Sequence, residues 1–156
     1  MIADSTCIIC LSKINRLELL KDVFNFISIP RAVKREVLVE GKDGILGIQN
    51  AFDAGWLKVV DAKKIVDFGL GAGENEAISL ARERNDTLIL DDAHALKVAE
   101  ALHFNTIRTT SVIFIAVKKK IIDRKEAIIL LNELIETGYY LSPGAYAVLL
   151  TKLKES

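Results

Sequence analysis

Met1-Ile2-Ala3-Asp4-Ser5 opens the chain, and the reading of these five residues decides the fold. A short apolar run stops at a carboxylate, and a helix-like segment follows at once. Thr87-Leu88-Ile89-Leu90 runs into Asp91-Asp92 in the same way. In a parallel sheet, an acid directly after a strand stands at the carboxyl edge, where α/β proteins bind their ligands. Between the two runs lies a helix that opens with Glu74 and Glu76. These acids are therefore expected to converge on one pocket.

Outward from these runs the chain alternates strands with helices. Residues 26–29, 56–60 and 105–108 read as further strands. Leu11, Ile14, Leu17 and Leu20 recur at helical spacing. Pro30 suits the first turn of a helix carrying Arg31, Lys34, Arg35 and Glu36, which the glycines of 41–44 break. Residues 45–54 read as a helix closed by Gly55. A glycine-spaced loop, 69–73, leads into a helix over 74–84. Ala93, Leu96, Ala99 and Leu102 line the face of the next. Residues 111–119 are apolar and then basic, as suits the negative end of a helix. Asp123 with Glu126 forms a capping box for a helix that Gly138 ends, and Ser142-Pro143 starts the last one. Alternation of this kind implies an α/β fold with a parallel sheet and helices on both faces. If Asp4 meets Asp91-Asp92, their strands are neighbours and the strand order is 3-2-1-4-5.

The totals set limits. The chain has 156 residues, enough for one domain, 1–156, with a sizeable core. It is 51% hydrophobic with two prolines, which argues against disorder. No apolar run reaches the ~20 residues of a membrane helix, and no signal-peptide pattern opens it. A soluble, cytoplasmic protein without a membrane partner is expected. Formal net charge is zero, against a general polyanion-coating role but not against a local basic patch.

Several carboxylates in one pocket repel one another, and each is costly to desolvate. A hard divalent cation is the natural counter-ion, and oxygen-only ligands suit Mg2+ or Mn2+. Such an ion activates water for attack on a phosphate. Each acid also has a structural reading. Asp92 can cap the following helix, Glu74 and Glu76 can complement a helix dipole, and Glu36 can pair with nearby bases. Asp4 has little capping work to do. Cys7-x-x-Cys10 reads better as two small packed side chains than as a redox pair. His94 and His103 are too few for a zinc site, and His94 reads as a surface helix residue. The glycines of 69–73 lack the Gly-Lys-Ser/Thr ending of a phosphate loop. Lys118-Lys119-Lys120 with Arg31, Lys34 and Arg35 are candidate phosphate contacts, or solvated helix ends. A receiver-type phosphoacceptor is the weaker alternative, because it wants its acidic pair after the first strand.

Five stretches together resemble the PIN domain of VapC-type toxin ribonucleases, within a prokaryotic branch of that family. They are Ile2-Ala3-Asp4-Ser5-Thr6, the run from Ile29-Pro30-Arg31 to Glu36-Val37, Gly71-Ala72-Gly73-Glu74-Asn75-Glu76-Ala77, Leu88-Ile89-Leu90-Asp91-Asp92, and the tail with Gly138-Tyr139-Tyr140-Leu141-Ser142. The resemblance implies a three-layer α/β/α fold and a metal-dependent endoribonuclease. It makes Asp4, Glu36, Glu76 and Asp92 the catalytic acids, with Asp91 as the alternative metal ligand beside Asp92. Glu74 becomes the dipole complement. It also implies an RNA substrate, an antitoxin partner and a homodimer. Members of the branch carry a Gly-Thr pair and a further glycine after the fifth strand. This chain has Thr110-Ser111-Val112-Ile113, keeping a hydroxyl as Ser111 without either glycine. A non-catalytic module that binds nucleic acid or protein is the alternative reading.

Overall fold

Five short apolar runs pair side by side in one parallel sheet: β1 (Ile2–Ala3), β2 (Ile27–Ile29), β3 (Leu57–Val59), β4 (Leu88–Ile89) and β5 (Thr106–Ile107). Their order is β3-β2-β1-β4-β5, as the position of the acids required. The structure, a computed structural model, describes residues 1–40 and 42–155. Ile2, Ile27, Ile29, Leu88 and Ile89 are all fully buried. Burial on both faces explains why these strands read as continuous apolar runs rather than alternating ones. The register sets Ile2 against both Ser28 and Leu88, and Ala3 against Ile89. The acids that follow β1 and β4 therefore leave the sheet side by side.

Helices fill both faces, giving the three-layer α/β/α arrangement of the resembled family. α1 (Ser5–Lys13) and α2 (Glu18–Phe24) follow β1; α3 (Arg31–Glu40) and α4 (Ile45–Asp53) follow β2. α5 (Ala72–Arg84) precedes β4, and α6 (Ala93–Ala101) joins β4 to β5. α7 (Thr109–Lys118), α8 (Arg124–Glu136) and α9 (Pro143–Glu155) close the chain. α3 packs on α5 and α1, while α7 packs on α2 and α8. Among the described residues, no helix is long and apolar enough to cross a membrane.

Several boundaries differ from the sequence expectation. The strands are two or three residues long, because pairing ends where the chain turns into each helix. The helical run through Leu11 and Leu20 is two helices, not one. Asn15 adopts the left-handed conformation at φ 56. Its N–H bonds to the Ser12 carbonyl at 3.1 Å, and the Arg16 N–H bonds to the Leu11 carbonyl at 2.9 Å. This is a Schellman ending built on asparagine, whose short polar side chain tolerates φ > 0. Pro30 stands just before α3, with its carbonyl accepting the Lys34 N–H at 3.1 Å. The expected break at 41–44 begins at Gly41, outside the described residues, as is Ser156; Lys42–Gly44 forms a 3-10 turn. The helix expected from Glu74 starts at Ala72 and takes in Gly73.

The Asn15 turn yields a test by urea unfolding. Asn15→Gly should stay within about 1 kcal/mol of the parent, since glycine enters this conformation freely. Asn15→Val should cost about 1–2 kcal/mol more, as a β-branched side chain is strained there. Equal losses in the two variants would place the helix break elsewhere.

Candidate active site

Asp4 follows the central strand directly. Its N–H donates to the Ile89 carbonyl at 3.0 Å, which fixes the start of the side chain against β4. The residue is extended, at φ −82 and ψ 171, just before α1, yet its side chain makes no capping bond. It is 3% exposed, and among the described residues its Oδ1 has no hydrogen-bond partner. A buried polar atom without a partner costs about 1–3 kcal/mol, more when charged. Burial accordingly pushes the Asp4 carboxyl up to about 7, against a partial offset from the Ser5 N–H. The charges of Glu74, Glu36 and Asp91 raise it further. Those three acids come from α5, α3 and the end of β4.

Glu36 is seated by α5. Its Oε1 accepts the Gly73 N–H at 3.0 Å, placing an anion on a helix N-terminus. A Cβ at Gly73 would collide with that carboxylate, so the glycine is there to make room. Glu74, next along α5, is half-buried and raised in pKa, first by burial and then by Asp92 and Glu36. Glu76 is bonded to α3. Its Oε1 accepts the Ala32 N–H at the start of α3 at 3.4 Å, and its Oε2 lies 3.9 Å from Arg35. Asp4 thus feels the charge of Glu74, while Glu76 is bonded at the start of α3.

The two aspartates after β4 are now separable. Asp92 is exposed and caps α6, its Oδ2 accepting the Ala95 N–H at 2.8 Å. Asp91 turns inward. Its Oδ1 accepts the Thr109 N–H at 3.0 Å and the Tyr139 hydroxyl at 2.6 Å, and its Oδ2 accepts the Thr109 hydroxyl at 2.6 Å. Sequence reasoning missed Thr109 and Tyr139. The available signal for Thr109 was its place two residues after β5, at the same sheet edge as Asp4. Ser111, the hydroxyl expected here, instead accepts the Arg108 N–H at 3.3 Å within the first turn of α7. Where the resembled branch has a glycine loop, this chain has already begun a helix.

The other candidates lie apart or are engaged. Cys7 and Cys10 are buried and unpaired. Burial pushes the Cys10 thiol up to about 11 and the Cys7 thiol well above its usual range, so neither is a ready thiolate. His94 is exposed on the first turn of α6, close enough for its charge to act on Glu74. Arg31 pairs with Asp61 at 3.3 Å, and Lys34 lies 5.2 Å over the Phe52 ring. Lys118 to Lys120 end α7, whose ten residues carry them roughly 15 Å from Thr109. Lys119 is tied to the Val23 carbonyl at 2.7 Å. Clefts of about 620 and 730 Å3 open at that far end, one lined by Trp56 and Arg16, the other by Lys118 and Ile121.

Does this donor set fit a metal ion? Among the described residues, no three His, Cys, Asp or Glu side chains stand ready as a closed ligand group. The donors nevertheless have the right chemistry. They are all oxygen, and among the described residues Asp4 Oδ1 is buried without a partner. Mg2+ keeps several waters and takes one or two carboxylates directly, with the remainder acting through its hydration shell. A ready-made cage of three is therefore not required, and the set fits such an ion.

A family model described as a PIN domain matches residues 1–155. No curated protein and no solved structure matches the chain.

Asp4 makes stability depend on pH. Its ordinary value is 3.8, and the folded chain holds the proton up to about 7. Its contribution is present in full below about 3.8 and is lost as pH rises to about 7, where folding must ionise a buried acid or keep its proton. In chelator, Asp4→Asn should be more stable than the parent at pH 8, on the order of 2–4 kcal/mol. The advantage should shrink toward pH 4. Urea unfolding across that range checks this, and a pH-independent difference would contradict the burial of an ionisable Asp4.

Proposed function

Because the chain belongs to the PIN-domain family, a family of nuclease-like or nucleic-acid-binding modules, we propose that it is a metal-dependent ribonuclease with its site at the carboxyl edge of β1 and β4. The observation that carries this reading is the Asp4 carboxylate, buried with an oxygen unpartnered among the described residues and within electrostatic reach of Glu74, Glu36 and Asp91. Stability alone gives no reason to keep a charge-bearing group in that position, as burial without a partner is unfavourable. Asp4 offers its free oxygen as the primary ligand for Mg2+ or Mn2+. The charges of Glu74 and Asp91 act on Asp4, so both are candidates to share the ion, and Asp92 acts in turn on Glu74. Glu36, held through Oε1 on the Gly73 N–H, orients a water or completes the shell. Glu76, tethered near Ala32 and Arg35, is in reserve and can turn inward when a ligand draws it. A bound divalent ion supplies a water of lowered pKa and neutralises charge on the phosphate. Without that charge the acids would repel an RNA backbone. RNA as substrate, an antitoxin partner and homodimerisation enter this reading through the resemblance alone, and a cytoplasmic setting through the composition of the chain.

A second reading has its own observation. The acids as they stand do not close a three-ligand group, and α7 begins where the resembled branch has a glycine loop. Both suit a module that binds nucleic acid without cutting it.

Single-stranded RNA incubated with Mn2+, with and without chelator, decides between the two. The nuclease reading expects metal-dependent cleavage that Asp4→Asn lowers by a factor of roughly 100 or more, equivalent to several kcal/mol of transition-state stabilisation. Gly73→Ala should lower it too while stability changes by only about 1 kcal/mol, because the methyl evicts Glu36 and helix propensity offsets the lost bond. RNA that is retained in a gel shift but stays intact in Mn2+ would favour the binding module. Cleavage that survives Asp4→Asn would rule out this site.

A further inference from the structure

The C-terminal helices reach the acidic notch through one side chain. α8 ends at Glu136, and Gly138 takes φ 108. The Gly138 N–H bonds to the Ile135 carbonyl at 3.1 Å, and the Tyr139 N–H bonds to the Leu134 carbonyl at 2.9 Å. These are the paired bonds of a Schellman ending, and they reverse the chain. The reversal carries the Tyr139 ring inward to 6% exposure, with its hydroxyl on Asp91 Oδ1 at 2.6 Å. Thr109 supplies the other two donors, its N–H to Oδ1 and its hydroxyl to Oδ2. Three donors thus occupy a carboxylate that has about four acceptor positions.

Satisfying the start of α7 does not require the phenol, since Asp91 already accepts the Thr109 N–H there. The Tyr139 bond does something else. It fixes the rotation of the Asp91 carboxylate, 48 residues away in sequence, whose charge acts on Asp4, the acid with a buried oxygen unpartnered among the described residues. Locked in this way, Asp91 cannot chelate an ion through both oxygens. It can offer one remaining lone pair, at a fixed place, to an ion or to a water in its shell.

We propose that Tyr139 is a positioning residue for the divalent-ion site: its hydroxyl, together with Thr109, locks Asp91 so that a single oxygen faces the ion bound at Asp4. This rests on the metal-dependent reading given above. Groups that orient metal ligands typically change metal affinity or activity 10–100-fold when removed.

The test is calorimetric titration of Mn2+ into the apo-protein, alongside the Mn2+ midpoint of RNA cleavage. Tyr139→Phe keeps the ring and deletes the hydroxyl. It should weaken Mn2+ binding about 10-fold or more, raise the cleavage midpoint in proportion, and recover its rate at saturating Mn2+. Thr109→Val should act in the same direction, and Thr109→Ser, which keeps a hydroxyl, should restore binding. A Tyr139→Phe protein that melts earlier but keeps the parent's Mn2+ affinity and midpoint has lost only packing, and overturns the proposal. Asp4→Asn in the same titration separates the two levels of argument. If it loses Mn2+ while Tyr139→Phe does not, only the role of Tyr139 fails. If Asp4→Asn binds Mn2+ like the parent, the site itself fails, and the role of Tyr139 fails with it.

Discussion

An acid buried at the edge of the central strand, with one oxygen that finds no hydrogen-bond partner among the described residues, is the constraint around which this molecule is arranged. Asp4 cannot move away from it. Its backbone is part of the β1–β4 pairing through Ile89, and apolar residues of the core close over both faces of that pairing. The chain could have satisfied Asp4 as an ordinary helix cap, and its backbone is extended as a cap requires, yet the side chain makes no such bond. The result is a carboxyl whose proton affinity is raised by its surroundings.

The remaining acids meet their own electrostatic demand differently. Glu36 receives an N–H from the first turn of α5, Asp91 from the first residue of α7, Asp92 from the first turn of α6, and Glu76 from the start of α3. In a parallel sheet with crossover helices, each helix that follows a strand begins at the carboxyl edge. Their N-termini therefore gather there, each with a partial positive charge and N–H groups that lack intrahelical acceptors. That is how the fold collects carboxylates with few basic side chains among them, Arg35 beside Glu76 being one. Helix starts hold Glu36, Glu76, Asp91 and Asp92 in place, and leave Asp4 as the group with unmet capacity. A cation at Asp4 would complete an electrostatic arrangement that the backbone has already largely balanced.

The same geometry explains which parts of the site could be read in advance. Asp4 and the Asp91-Asp92 pair were legible because each ends an apolar run, a one-dimensional signal. Glu36, Glu74 and Glu76 were legible as candidates, but their directions were not. Residues 74 and 76 stand about 200° apart around a helix, and which of them faces Asp4 depends on how α5 is rolled against the sheet. At Gly73 the missing side chain lets α5 approach the Glu36 carboxylate. Thr109 and Tyr139 gave almost no local signal, because their importance lies wholly in reaching Asp91 across 18 and 48 residues of chain. Asn15 hid a helix end for a related reason: a left-handed turn is usually marked by glycine, and here asparagine takes it.

By itself, then, the sequence determined the parallel sheet, its strand order and the edge at which acids collect. Those follow from apolar runs, their alternation with helices and the placing of charges at run ends, all of which are properties of neighbours along the chain. Tertiary structure alone decided which oxygen is left without a partner, which backbone N–H groups Glu36 and Glu76 accept and which hydroxyls grip Asp91. Those outcomes depend on the rotation and close approach of elements distant in sequence, and hydrogen bonds sensitive to fractions of an ångström select among them.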